Sequence, residues 1–401
     1  MVHTLLPIAT DHHATTYLHH AFPLAVLLTE ERLRPWFLER FVQLVAATYV
    51  DDDGRVELWL DLAEREHAYS EVLVEIPLDL RLAGPVDSVI DILRGHVDAG
   101  FYPVILLDEY HLPQKRCHQD HHFVHPTLVH GYDDGGRRLA TLGFDRHMRF
   151  GPIILGYDDV ASAWRAATDA VERGDVVPPK HRGVITLLRP RPFRSAYPFD
   201  LRRFTDRLGG YLDAELDSAE AYFGHACQLG PAAWSDPGAP QVRSGMDVYD
   251  VLDIHLELLT EGRLTMDYRH MQVLHQHKLL LHERLSVIAA GHPDGGALTT
   301  PLREYSKWMR RIDTARLLFL KTTVDPRVNM MKLRDRTDTI AVDRAGIDDI
   351  RRTLRAAQRS ERELLGQVHR ELHRMRHAPT PTVHARPDSP LKSLEDTSPH
   401  G

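Results

Sequence analysis

The spacing of apolar residues changes once along this chain, across a ten-residue segment that suits neither a strand nor a helix. Arg189 to Pro198 carries three prolines and three arginines. Proline fixes φ and removes a backbone donor, so the segment reads as a linker. Before it, the apolar runs have strand length. Arg55–Leu62 alternates around a tryptophan, Phe101–Asp108 is a continuous apolar run, and His125–Tyr132 stops at Asp133-Asp134-Gly135-Gly136, from which Arg138–Phe144 returns. These patterns predict strands, with a hairpin over 125–144. Ile153–Tyr157 and Gly183–Leu188 add two more. Asp158 or Asp159 is expected to cap a helix that buries Val160, Ala163, Trp164 and Ala167. After the linker the period becomes helical: Leu201, Phe204, Leu208 and Leu212; then Val248, Leu252, His255, Leu256 and Leu259; then Ile350, Leu354, Leu364, Leu365, Val368, Leu372 and Met375 along a final helix at about Ile347–His377. The expected class is α+β: a mixed domain over 1–188, a linker over 189–198, an all-α domain over 199–377 and a disordered tail over 378–401.

Composition narrows the function classes. The chain has 401 residues and a net charge of −8, so bulk charge does not fit it to coat nucleic acid. No stretch approaches the roughly 20 apolar residues of a membrane helix, and Ala21–Leu28 is too short and too interrupted, by Pro23, to be a secretory leader. Cys117 and Cys227 form no disulfide framework, and a cytoplasmic, reducing setting is expected. Histidine stands out. There are 27, with four in 11–20 and six in 111–130. Converging imidazoles bind zinc, but there is no His-Glu-x-x-His and no paired-Cys motif, so solvated or core histidines are expected and no metal is assigned.

The strongest chemical signal is His125 on a strand, followed by Gly131-Tyr132, the hairpin and then Asp145. A hairpin sets side chains side by side, and an acid beside a strand histidine accepts its second ring proton and fixes the tautomer. Papain-type cysteine hydrolases and transferases use this order; a surface histidine and a turn aspartate give it too. The partner nucleophile of such a pair belongs at the start of an early helix, where the dipole favours thiolate. Here the early helix is expected at about Thr10–Leu28, and its start reads Asp11-His12-His13-Ala14-Thr15-Thr16. It offers His13 and the Thr15 and Thr16 hydroxyls but no thiol. Cys117, eight residues before His125, is the other nucleophile candidate. On such a helix His12 and His19, and His13 and His20, would each share a face. In the helical half, His270, His275, His277 and His282 line up at seven-residue intervals, as a pocket wall or as a polar helix face. Residues 351–377 hold eight arginines against three glutamates, a basic stripe that either faces solvent or docks an acidic carrier protein.

Three segments carry a family likeness: Gly100-Phe101-Tyr102-Pro103, Leu107-Asp108-Glu109-Tyr110-His111-Leu112-Pro113, and His122-Phe123-Val124-His125-Pro126-Thr127-Leu128-Val129-His130-Gly131-Tyr132-Asp133-Asp134. They resemble the N-terminal domain of the butirosin-biosynthesis acyltransferase family, the BtrH type. The likeness runs over about Leu5–Val171 and is specific in 100–134. The helical half is similar to that of a subgroup through Gly245–Tyr249 and Met266–Arg269 to His277-Lys278; Trp36-Phe37 and Phe41–Leu44, in the first half, are also similar. The resemblance implies a papain-like fold and transfer of an acyl or aminoacyl group from a carrier-bound phosphopantetheine thioester, in bacterial clusters for antibiotics and other specialised metabolites. It implies that His125 and Asp145 are catalytic, and that Asp108, Tyr110, His122, Tyr132 and His277 contact substrate. The family's cysteine has no match, since His12 and His13 stand in its place.

The function expected is therefore acyl transfer or amide formation on a small molecule or peptide, with His125 as base, Asp145 orienting it, and the substrate amine able to act as nucleophile. One alternative is a non-catalytic scaffold that binds a carrier or peptide. The other is a histidine-rich metal-dependent enzyme. No nucleic-acid or membrane partner is expected, and oligomeric state is left open.

Overall fold

A computed structural model describes residues 3–50, 56–64, 68–78, 89–176, 185–215, 241–261, 267–323 and 343–376. The expected tail over 378–401 lies outside them. The strands are, in chain order, β1 (His3–Leu5), β2 (Gln43–Val50), β3 (Val56–Ala63), β4 (Leu73–Leu78), β5 (Tyr102–Asp108), β6 (Val124–Asp133), β7 (Arg138–Phe144), β8 (Phe150–Gly156), β9 (Ile185–Pro190) and β10 (Gln241–Ser244). The α-helices are α1 (Leu18–Leu27), α2 (Arg34–Leu38), α3 (Val89–Asp98), α4 (Tyr157–Glu172), α5 (Leu201–Leu212), α6 (Val248–Thr260), α7 (Arg269–Gly291), α8 (Thr299–Thr323) and α9 (Arg344–Met375). The class is α+β.

The chain forms two compact units, and their border is not a single linker. One unit gathers Met1–Arg34, Glu64–Tyr197 and Ser218–Asp236; the other gathers Pro35–Ala63, Pro198–Asp217 and Pro237–Gly401. The proposed linker begins inside β9, since Arg189 and Pro190 pair with Val74 and Leu73. The second unit is not all-α. It holds an antiparallel sheet in the order β10-β2-β3. Leu44–Ala47 of β2 are buried, and a strand that apolar needs cover on both faces.

In the first unit a seven-stranded sheet runs β4-β9-β5-β6-β7-β8, with β1 added on β6, and every pairing is antiparallel. β5 is buried along its whole length, as its continuous apolar run demands. The 125–144 hairpin forms as expected. Alternation gives the sheet two apolar faces. Tyr102, Val104, Leu128, Leu142 and Leu188 pack under α1. Ile105, Leu107, Val129, Ile185 and Leu187 pack under α3 and α4. A bulge between Val129 and Gly131 shifts the ladder to β7. Gly131 is required there, because a Cβ would come within 2.7 Å of the Thr4 carbonyl oxygen on β1.

Two helix starts differ from expectation. α1 begins at Leu18, so 10–16 is not helical and the supposed His12–His19 and His13–His20 faces do not exist. α4 begins at Tyr157 on Gly156. Asp158 and Asp159 lie in its first turn and favour the dipole without capping it. Val160, Ala163 and Ala167 are buried as expected, as are the apolar positions read on α5 and α6.

Candidate functional site

β5 ends in two consecutive carboxylates, and each holds a histidine. Asp108 caps the single 3-10 turn Glu109–His111, its Oδ1 accepting from the backbone N–H of Tyr110 at 3.1 Å and of Phe123 at 3.0 Å. Its Oδ2 lies 2.6 Å from Nδ1 of His122, whose ring stacks on Tyr110. Glu109 lies next to it and is also buried. Its Oε1 lies 3.3 Å from Nδ1 of His125 and 3.4 Å from Nζ of Lys115. The buried Lys115 ammonium also donates to the Phe144 carbonyl at 2.9 Å. Burial alone raises the Glu109 carboxyl, but the His125 hydrogen bond and the Lys115 charge outweigh it and hold the group below its ordinary value. The result is an ionised carboxylate fixed behind a half-buried imidazole that stacks on Phe123.

The carboxylate on His125 is thus Glu109, the first residue of the turn after β5, and not Asp145, from beyond β7. Extending the Leu128–Leu142 register would set Asp145 opposite His125, but β7 ends at Phe144 and Asp145 turns into the tight connection to β8. There its Oδ1 accepts from the backbone N–H of His147 at 2.8 Å and of Arg149 at 2.9 Å, and its Oδ2 pairs with the Arg149 guanidinium at 2.9 Å. Burial pushes the Asp145 carboxyl up, but these donors prevail and lower it. Local donors two and four residues away close with little entropy cost, so they win over a distant imidazole. Asp145 does line a cleft of about 410 Å³ with Pro113, Gln114, Arg146, His147, Arg149, Pro152 and Ile153. Neither His125 nor Glu109 lines that cleft.

The nucleophile candidates fare differently. His125 pairs with Leu107, so it belongs to the face covered by α3 and α4. α1 packs on the other face, and His13, Thr15 and Thr16 precede it in a non-helical segment. His12 is buried against Phe150, and burial lowers its pKa to about 4, which makes it a neutral core group. His13 has φ 57°, a left-handed turn residue. Cys117 is close to Glu109, but burial and then that negative charge push its thiol up to about 12. It is not a thiolate near neutral pH.

The residues expected to contact substrate separate into two groups. Asp108, Tyr110 and His122 come together as described, with His111 beside them. Tyr132 is a core residue; its hydroxyl donates to Asp98 at 2.8 Å and the Arg94 guanidinium lies over its ring. His277 is fully buried in the other unit, its Nε2 bonded to the Val42 carbonyl at 2.7 Å and its Nδ1 to Lys278 at 3.1 Å. Burial holds it well below its ordinary pKa, as a neutral imidazole. His270 likewise bonds the Leu58 carbonyl at 2.8 Å. These histidines are internal struts. The basic stripe on α9 is largely occupied as well. Arg351 and Arg355 clamp Asp253, Arg376 reaches Asp206 and Arg362 caps the Leu212 carbonyl.

Sequence reasoning missed Glu109 and Lys115. A carboxylate directly after the buried run of β5 was the available signal, since a charge at the edge of a core strand needs a partner. Comparison with protein-family models finds no match, and comparison with curated proteins finds none. Among the described residues no helix is long and apolar enough to cross a membrane.

Proposed function

We propose that this protein forms or transfers an acyl or aminoacyl group in the assembly of a specialised metabolite, with a carrier-bound thioester as donor and an amine as acceptor. The observation that carries the reading is the His125–Glu109 pair. With Nδ1–H donated to Glu109, Nε2 is the basic atom, and it has no hydrogen-bond partner among the described residues. Nε2 takes a proton as the amine nitrogen attacks the thioester carbonyl carbon. The C–S bond then breaks and the leaving thiolate takes that proton back. No enzyme nucleophile enters the sequence, which agrees with the protonated Cys117 thiol and with α1 lying on the opposite face. Glu109 fixes the tautomer and balances the imidazolium charge. The antiparallel sheet with one helix on the α1 face, together with the likeness over 100–134, supports a papain-like reading of the first unit.

The test is deletion of the gene in its host, with metabolite mass spectrometry. A product lacking one fixed acyl or aminoacyl mass is expected, restored by the wild-type gene and not by His125→Ala. Full restoration by His125→Ala overturns the catalytic reading. It favours the second reading, a binding scaffold, which the Cys117 thiol, pushed up to about 12 by burial, supports. The scaffold reading expects capture of carrier domains from the same gene cluster to be unchanged by His125→Ala.

A further inference from the structure

The end of β5 carries a second arrangement that the acyl-transfer reading does not use. Asp108, His111 and His122 each offer one ligand atom, and these atoms lie within 4.8 Å of one another. We propose that they form a binding site for a divalent borderline metal ion, with zinc as the ion of choice.

The local backbone explains why the three converge. Asp108 and His111 flank a single 3-10 turn, in which side chains three apart lie above one another. His122 enters from the segment leading into β6, next to Phe123, whose backbone N–H holds Asp108. Two imidazoles and one carboxylate are the donor set zinc takes when it keeps an open fourth position. Ligands at zinc distances stand about 3.4 Å apart. Asp108 Oδ2 and His122 Nδ1 stand 2.6 Å apart in a hydrogen bond, so binding an ion releases that proton and parts them by less than about 1 Å, while the His111 ring nitrogen lies within 4.8 Å of both.

The surroundings of the ligands are those of a built site. Two backbone donors fix Asp108 Oδ1, the outer-shell support that ligating carboxylates use, and Oδ2, which holds His122 in the metal-free protein, exchanges that hydrogen bond for the ion. Tyr110 packs against both imidazoles, stacked on His122 at 4.4 Å and edge-on to His111 at 5.2 Å, which limits their rotamers. The His122 side chain is 69% exposed, so an ion reaches it from solvent without opening the fold. A water on the open fourth position would be polarised by the ion. The site stands independently of the acyl-transfer reading, because its test reads metal and not product.

The test uses the full chain without a histidine tag, dialysed against a chelator. Co²⁺ is titrated and followed by visible d–d absorption, and Zn²⁺ is titrated by calorimetry. The wild type is expected to bind one equivalent at this site and to give a four- or five-coordinate cobalt spectrum. His111→Ala and His122→Ala, both outside the core, are each expected to lose that equivalent or to weaken it at least ~10-fold, with the metal-free melting temperature unchanged. Tyr110→Leu keeps the ligands and is expected to weaken binding less. The proposal is overturned if the wild type binds neither ion, or if both histidine variants keep wild-type stoichiometry and affinity, which would place the metal on other histidines.

Discussion

Glu361→Gln in the helical unit probes a buried charge network that organises five helices. Glu361 on α9 receives Lys278 from α7 at 2.9 Å, and the hydroxyls of Tyr249 from α6 at 2.6 Å, Tyr305 from α8 at 3.1 Å and Tyr211 from α5 at 3.4 Å. The three donor positions of Lys278 go to Glu361, to the Tyr211 hydroxyl at 2.7 Å and to Nδ1 of His277 at 3.1 Å. Burial pushes the Lys278 ammonium down and Glu361 pulls against it. Removing the carboxylate charge leaves an ammonium with no water and no counter-charge. Breaking one side of such a pair costs about 3–5 kcal/mol, a large part of the roughly 5–15 kcal/mol that holds a domain folded. Gln keeps the shape and one acceptor, so the loss reads charge and not volume. Adding Lys278→Met removes the stranded ammonium but leaves Nδ1 of His277 without its donor, a penalty of roughly 1–3 kcal/mol. The double variant is therefore expected to be more stable than Glu361→Gln alone. Urea and thermal unfolding of the four chains measure this coupling. The reasoning is refuted if Glu361→Gln lies within about 1 kcal/mol of wild type, or if the two substitutions simply add.

Acid should destabilise both units before their carboxylates titrate. His12 and His255 are held neutral by burial, with pKa values lowered to about 4 and about 3 from 6.5. Below pH 6.5 the unfolded chain takes up protons that the folded chain refuses. The stability these groups contribute is therefore complete above 6.5 and is lost as pH falls towards 4 and 3, amounting to about 2 kcal/mol each at pH 5. A melting temperature unchanged between pH 7 and pH 5 would contradict this, and His255→Leu should flatten the slope. In the proposed reaction, Glu109→Gln is expected to slow product formation ~10²-fold or more. Asp145→Asn should leave the chemistry intact and cost about 1 kcal/mol of turn stability; the opposite ranking would restore Asp145 as the orienting acid. Cys117 should resist iodoacetamide at pH 8 in the folded chain and react in urea, and rapid labelling of the folded chain would show that its thiol is not held up at about 12.

What was legible in the sequence follows range. The 125–144 hairpin could be read because its turn residues and both strands lie within twenty positions. The helical stripes on α5, α6 and α9 could be read because the period itself encodes the buried face. In the second unit's sheet, Arg55–Leu62 reads as a strand and forms β3, but β2 and β10 could not be read. β2 and β3 are held by groups far along the chain, such as His277 on the Val42 carbonyl and His270 on the Leu58 carbonyl, and no local pattern announces a partner more than two hundred residues away. The site shows the same limit in finer form. His125 was recognisable as a strand histidine beside a hairpin, but which acid it meets depends on which of two neighbouring strands reaches it. Both acids lie one residue past their strands, but Asp145 is spent on the donors of its own turn, whereas Glu109 opens a turn already capped by Asp108 and keeps an oxygen for His125. Parity then decides the rest. Because His125 pairs with Leu107 it lies on the face packed by α3 and α4, whereas α1 packs over Val104 and Leu128 on the other face.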